Sequence, residues 1–173
     1  MVIRDEKSVD QGYSTNKYHK GVYTLIIRST EPCKVLAGRR HSVAFERGLY
    51  LYTGSALGRG STSLEGRIGR HLSREKRDFW HIDRILSSES VHVISVIFAK
   101  TTRKAECGVN TEFLKDSDIN VLAKRIGSSD CRCKSHLLVA RGGPDALKRK
   151  IKSSYARLSL RPHELKDRRI RRL

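Results

Sequence analysis

Arg67 and His71 lie four residues apart on the border of an apolar stripe made by Leu64, Ile68 and Leu72. At that spacing two side chains share a helix face, so a guanidinium and an imidazole are presented together. Just upstream, Leu49-Tyr50-Leu51-Tyr52 places phenolic hydroxyls on a strand, and small residues from Gly54 to Ser63 make the turn into the helix. A guanidinium grips paired oxygens, an imidazole exchanges a proton near neutral pH, and tyrosine hydroxyls donate or accept. That set suits an anionic substrate. Gly54 and Ser55 make the turn and can offer backbone amides to a phosphate. Arg70 falls opposite the stripe, where it is expected in solvent and within reach of substrate.

These groups need a scaffold. Ser61, Thr62 and Ser63 supply N-cap hydroxyls for the helix, and Glu65 suits its first turn. Gly21 to Arg28 is apolar enough for a central strand, and Val91 to Phe98 reads as another. Lys34 to Ala37 and Ser42 to Phe45 read as short extra strands. No helix-length crossover separates these segments, so the sheet is expected to be antiparallel. Asp78 is the expected N-cap of a short helix whose face is Phe79, Ile82 and Leu86, with Trp80, His81 and Asp83 on it. Residues 102 to 115 read as a helix weakened by Gly108, and the run from Cys131 to Val139 ends as a strand. Pro144 opens a helix to about Arg157, and Pro162 is expected to open another. The fold class is therefore α+β: a small, mainly antiparallel sheet flanked by helices. We divide the chain into a loose arm (1–19), a core (20–140) and a basic helical extension (141–173). The last holds twelve Lys and Arg against three Asp and Glu.

Charge narrows the partners. The 173 residues carry 36 Lys and Arg against 18 Asp and Glu, a net +18, and a field of that size favours a polyanion, nucleic acid first. No apolar run approaches the ~20 residues that span a bilayer. No basic amphipathic helix with Trp or Phe on its apolar side suggests a membrane surface either. Residues 1–20 are polar and mixed in charge, unlike a signal peptide. Four cysteines in that setting point to a reducing interior, so a cytoplasmic, nucleoid-associated protein is expected.

Gly21-Val22-Tyr23, then Tyr52-Thr53-Gly54, then Arg67 and His71, and finally Glu106 resemble in order the motifs of the GIY-YIG nuclease superfamily. The phrases Trp-His-Ile-Asp at 80–83, Glu-Cys at 106–107 and Ser-Asp-Cys-Arg-Cys-Lys-Ser-His-Leu at 129–137 resemble a poorly characterised prokaryotic branch of it. Two departures stand out. The 28 residues between Tyr23 and Tyr52 exceed the short hairpin usual in the superfamily, and Thr53 replaces an isoleucine.

The resemblance implies a metal-dependent DNA endonuclease that nicks damaged or structured DNA in repair. Some look-alikes are fused to a DNA glycosylase, which implies a functional partnership with one. It assigns catalysis to Tyr23, Tyr52, Arg67, His71 and Glu106, with Glu106 holding a divalent cation, Mg2+ or Mn2+. Tyr23 would be a general base or position the attacking water, and a base role needs its pKa lowered. Substrate contacts fall to Gly54, Ser55, Arg70, Trp80, His81, Ser129, Asp130, Arg132, Ser135 and His136. Trp80 suits a core gap better than a stacking platform, and His81 and Asp83 stand as supporting groups. Cys131, Cys133 and His136, with Cys107 elsewhere, could bind zinc, yet Cys-x-Cys is not the usual Cys-x-x-Cys knuckle. Reduced cysteines packed near the site are the preferred reading. Two other functions fit the composition: a binding module without catalysis, and a zinc-stabilised RNA-binding factor.

Overall fold

The structure is a computed structural model that describes residues 18–37, 41–73 and 80–165. Eight strands and four helices follow in order: β1 (Gly21–Ser29), β2 (Cys33–Leu36), β3 (Ser42–Phe45), β4 (Gly48–Ala56), α1 (Leu64–Leu72), α2 (His81–Ile85), β5 (Val91–Lys100), α3 (Glu106–Phe113), β6 (Ile119–Val121), β7 (Leu137–Ala140), α4 (Pro144–Arg157) and β8 (His163–Leu165). Six strands form one sheet in the order β6-β7-β4-β1-β5-β8, every pairing antiparallel, while β2 and β3 make a separate hairpin. The expected α+β class with a mainly antiparallel sheet is the observed one.

The central strand β1 is buried on both faces, which its unbroken apolar run requires. One face packs Tyr23, Leu25 and Ile27 with Tyr50, Tyr52, Leu64, Ile68, Ile82 and Ile85, beneath α1, α2 and the hairpin. The other packs Val22 and Ile26 with Leu51, Val109, Phe113, Leu147, Ile151 and Tyr155, beneath α3 and α4. Burying one Leu- or Ile-sized side chain contributes about 1.5–3 kcal/mol, so these two clusters hold the sheet against the entropy of ordering it. At its centre, Thr24 Oγ1 lies 3.2 Å from Thr53 Oγ1 and 3.0 Å from the Tyr155 hydroxyl, which satisfies three buried polar groups together.

Several expectations shift. The helix placed at 102–115 is shorter, because Thr101 N still donates to Lys20 O and keeps the start of that stretch on the sheet edge. Pro162 opens a strand rather than a helix. Ser159 turns the chain with φ +56°, Leu160 N returns to Tyr155 O, and β8 then pairs with Val96–Phe98 of β5. Proline also disfavours helical geometry in the residue before it. β6 was not anticipated from sequence. The boundary expected at residue 140 falls between β7 and α4, yet α4 buries Leu147, Ile151 and Tyr155 in the core and β8 completes the sheet. The expected arm (1–19) lies almost wholly outside the described residues, as do Asp78 and Phe79. Among the described residues, no helix is long and apolar enough to cross a membrane.

Candidate active site

Tyr23 on β1 and Tyr52 on β4 project from the same sheet face. Their register explains the glycine beside them. Gly54 stands opposite Tyr23, and a Cβ on Gly54 would lie 2.5 Å from the Tyr23 hydroxyl oxygen and 2.6 Å from Cζ. The tyrosine ring lies across this glycine, so only a residue without a side chain fits there. Gly127, at φ +69°, is placed in the same way against Tyr52, 2.7 Å from Cε2.

Helix α1 is capped by Ser63, whose Oγ accepts from Gly66 N, and a helix this anchored can place side chains closely. His71, on its last turn, brings Nε2 within 2.8 Å of the Tyr23 hydroxyl. The opposite ring nitrogen, Nδ1, faces Asp83 Oδ1 at 3.3 Å. Asp83 comes from α2 and is fully buried. Its other oxygen accepts from Arg70 Nε at 3.0 Å and Trp80 N at 3.1 Å, with Arg70 Nη2 also at 3.0 Å. An ionised carboxylate only accepts, so Asp83 requires a proton on His71 Nδ1, and in the neutral ring that leaves Nε2 as the acceptor for Tyr23. The result is a chain, Tyr23–His71–Asp83, drawn from β1, α1 and α2.

Electrostatics bear on each member. Burial would raise the Asp83 carboxyl, but hydrogen bonds from His71, Trp80 N and Arg70 outweigh it and hold the group well below the usual carboxylate range. Burial dominates at the tyrosines. Tyr23 is driven far above the ordinary phenol value by desolvation and by Tyr52, with Arg67 opposing. Tyr52 is pushed up to about 12 by burial, again with Arg67 opposing. The lowered pKa that a tyrosinate base requires is therefore not what the site produces. Tyr23 stays protonated, and His71 is the group placed to take its proton.

Arg67 is half-buried, with its guanidinium carbon 4.8 Å from the centre of the Trp80 ring; that of Arg70 is 4.9 Å from the same ring. Trp80 thus packs half-buried against the core and also carries two cations, a cation–π arrangement that orients both. Arg67 Nε is buried without a hydrogen-bond partner among the described residues, while the Arg67 side chain also hydrogen-bonds Tyr23 and opposes the rise of its pKa. Arg70 departs from expectation, since it is engaged with Asp83 instead of being left in solvent.

Glu106 opens α3, on the opposite side of the sheet, and is buried to 4% exposure, with no hydrogen-bond partner for Oε2 among the described residues. Lys104 Nζ lies 3.7 Å from its Oε1. The loop before β7 spans the distance between α3 and Tyr52: Gly127 touches Tyr52, Thr53 N donates to His136 O at 3.1 Å, and Asn110 Nδ2 donates to Ser135 O at 2.9 Å. On this loop Cys131, Cys133 and His136 meet Cys107 of α3, with all four donor atoms within 4.8 Å of one another. This Cys/His cluster could bind a metal ion. Burial and the neighbouring thiols push Cys107 up to about 12.

The structure thus brings Tyr23, Tyr52, Arg67 and His71 together around α1. Gly54 and half-buried Ser55 are not in the turn where the sequence placed them: β4 continues to Ala56, and the two pair with Tyr23 and Val22 of β1. His81 is exposed one residue beyond Trp80. Ser129, Asp130 and Arg132 are exposed on the loop, where Asp130 pairs with Lys104 at 3.1 Å, while Ser135 and His136 are buried and serve the loop and the cluster. Sequence reasoning left Asp83 in a supporting role without a partner. The signal was available in the Trp80-His81-Ile82-Asp83 run, but nothing in it named His71.

A six-stranded antiparallel sheet covered by helices on both faces, with a buried hydroxyl–imidazole–carboxylate chain at the foot of one helix, defines an α+β protein with a preformed polar site. The chain matches the family described as "Domain of unknown function DUF123" over residues 22–160, and it belongs to that family. The match runs through α4, as the packing does. No curated protein and no solved structure matches it.

Proposed function

We propose that the protein is a metal-dependent endonuclease of the GIY-YIG type, which hydrolyses phosphodiester bonds in DNA and nicks one strand per event. The Tyr23–His71–Asp83 chain beside Arg67 carries this reading. The attacking water gives a proton to the Tyr23 oxygen as the Tyr23 proton passes to His71 Nε2, and Asp83 stabilises the imidazolium that results. Oxygen from water bonds to phosphorus, the bond to the leaving deoxyribose oxygen breaks, and that oxygen takes a proton from solvent. Arg67 grips the non-bridging oxygens as negative charge grows, and its buried Nε, which has no hydrogen-bond partner among the described residues, adds a donor to that grip. Tyr52 adds a neutral hydroxyl beside the phosphate, and a base role is closed to it at neutral pH.

Glu106 fits a hard divalent cation such as Mg2+ or Mn2+, because its buried Oε2 lacks a partner and a single carboxylate leaves positions for phosphate oxygen and water. Bound there, the ion would neutralise phosphate charge. A cleft of about 530 Å³ lined by Lys20, Arg59 and Lys100 lies at the sheet end where β1 begins and β4 and β5 finish, and it offers cations to a DNA backbone. With the net +18, it favours DNA over a small anion. The glycosylase fusions among the look-alikes tilt the proposal towards damaged or structured DNA, a repair role at the nucleoid and a glycosylase as partner.

The test is cleavage of labelled DNA carrying intact, nicked, mismatched, abasic or uracil-containing sites, in Mg2+, Mn2+ or EDTA. Metal-dependent nicking that disappears in Glu106→Ala and Arg67→Ala, while DNA binding persists, is the expected result. Tight, salt-sensitive binding with no cleavage of any substrate would leave a binding module and sink the enzyme.

A further inference from the structure

The cluster of three thiols and an imidazole has a geometry of its own. Tetrahedral zinc, with bonds of about 2.3 Å to sulfur and about 2.05 Å to nitrogen, sets its ligands about 3.8 Å apart for a sulfur pair and about 3.6 Å for sulfur and nitrogen. His136 Nε2 lies 3.6 Å from Cys131 Sγ and 3.9 Å from Cys107 Sγ, and no pair among the four donor atoms exceeds 4.8 Å. The two His136 distances match that shell, and the remaining pairs exceed its spacing by no more than about 1 Å.

The backbone that carries them is fixed by bonds of its own. His136 N donates to Ile126 O at 2.8 Å, Arg125 N to Lys134 O at 2.8 Å and Leu137 N to Ser135 Oγ at 3.0 Å. Arg125 and Gly127 both take positive φ, 62° and 69°, to fold the loop back on itself. The cysteines are half-buried and His136 is buried to 2% exposure, so the donors converge in an interior pocket and not on an open surface.

We propose that Cys107, Cys131, Cys133 and His136 form a structural site for a borderline-soft divalent cation of the zinc class. Three thiolates and one imidazole fill a tetrahedral shell, which leaves no open position for catalysis. The ion ties the loop 122–136 to α3 at the residue after Glu106, and through Gly127 and Thr53 to the strand that carries Tyr52. Its work is to set the distance between Glu106 and the tyrosines, which come from opposite faces of the sheet. The site is distinct from the hard-cation position at Glu106, and it does not depend on the nuclease reading.

Elemental analysis of the full chain, purified reduced and without added metal, should give about one zinc per chain. Replacing that metal with Co2+ should produce thiolate-to-cobalt charge-transfer absorption and the intense visible bands of tetrahedral cobalt. Cys133→Ser and Cys131→Ser should lose both signals, whereas Cys133→His, which keeps a ligand, should retain metal. Zinc-loaded protein should melt higher than protein stripped by a chelator, whatever its action on DNA. A reduced, folded wild-type chain that retains no metal and gives no cobalt charge-transfer band would overturn the proposal. So would iron with acid-labile sulfide, or a disulfide between Cys131 and Cys133.

Discussion

Replacing Asp83 with asparagine keeps the shape of the side chain and changes only what it offers. One carboxylate oxygen collects Arg70 Nε, Arg70 Nη2 and Trp80 N, and an amide oxygen can remain there. The amide nitrogen must then face His71 Nδ1, where Asp83 Oδ1 stood at 3.3 Å. Because that nitrogen donates, Nδ1 has to accept, and the imidazole proton moves to Nε2. The bond to Tyr23 reverses: Nε2 now donates to the hydroxyl and can no longer receive its proton. Loss of a general-base step lowers rates by about 10²–10⁴-fold, and that is the fall expected in metal-dependent nicking. Hydrogen bonds to a charged group contribute about 1.5–3 kcal/mol each, and Arg70 is half-exposed, so a destabilisation of about 2–3 kcal/mol is expected. The melting temperature should drop by about 4–12 °C in a chain of this size.

The pH dependence follows from the depressed Asp83 pKa. A carboxyl whose folded value lies below its unfolded value of about 3.9 contributes stability above that pH and loses it as pH falls towards the folded value. The stability gap between wild type and Asp83→Asn should therefore be full at neutral pH and close as acid is added below about pH 4. Nicking is assayed well below both melting points, alongside DNA affinity, which should stay nearly unchanged. A folded Asp83→Asn protein that nicks at the wild-type rate would refute the proton path through His71.

Gly54→Ala should be as severe as a catalytic change although it removes no polar group. Its Cβ would meet the Tyr23 hydroxyl at 2.5 Å, so the ring must shift away from His71, at a cost of about 1–3 kcal/mol in unfolding free energy, and nicking should fall with it. Arg67→Lys keeps the charge but loses the planar fork; DNA affinity should hold while kcat drops about 10²-fold, and an unchanged kcat would remove Arg67 from the transition state. At the far edge, burial raises Glu164 but hydrogen bonds from Lys152 and Lys148 outweigh it and bring the carboxyl down to about 2. Glu164→Gln should cost about 1 kcal/mol at neutral pH, and the difference from wild type should fade between about pH 4 and pH 2 in acid-unfolding curves.

The parts of the fold written in local pattern were legible in the sequence. The apolar run of β1, the alternation of β5 and the stripe Leu64–Ile68–Leu72 each follow from one segment's own periodicity, and α4 begins at the proline that marks it. What depends on distant partners was not. β8 is three residues long and exists because β5 offers an edge; nothing in His163-Glu164-Leu165 distinguishes it from a loop. At the site, Arg67 and His71 could be placed on one helix face by spacing alone. Asp83 could not be joined to them, because its contact with His71 depends on how α2 docks against α1. Arg70 was misplaced for the same reason: a helix wheel reports direction, and only the neighbouring helix decides whether that direction is solvent. The cysteine cluster shows the limit most clearly, since Cys107 lies 24 positions before Cys131 and only the fold closes that gap.

The positive charge of the last segment and its place in the sheet have a joint consequence. Residues 141–173 hold twelve Lys and Arg, the densest cationic stretch of the chain. The same segment supplies Leu147, Ile151 and Tyr155 to one core and closes the outer edge of β5. A chain stopped at residue 140 would not be a less sticky version of this protein. It would leave β5 with an unpaired edge and one sheet face covered by α3 alone, and an unpaired edge is where strands recruit strands from other molecules. A large share of the positive charge and the cover that resists aggregation are thus carried by one stretch of sequence. Tuning the first has to proceed by single side chains on the outer face of α4, because trimming the segment would forfeit the second.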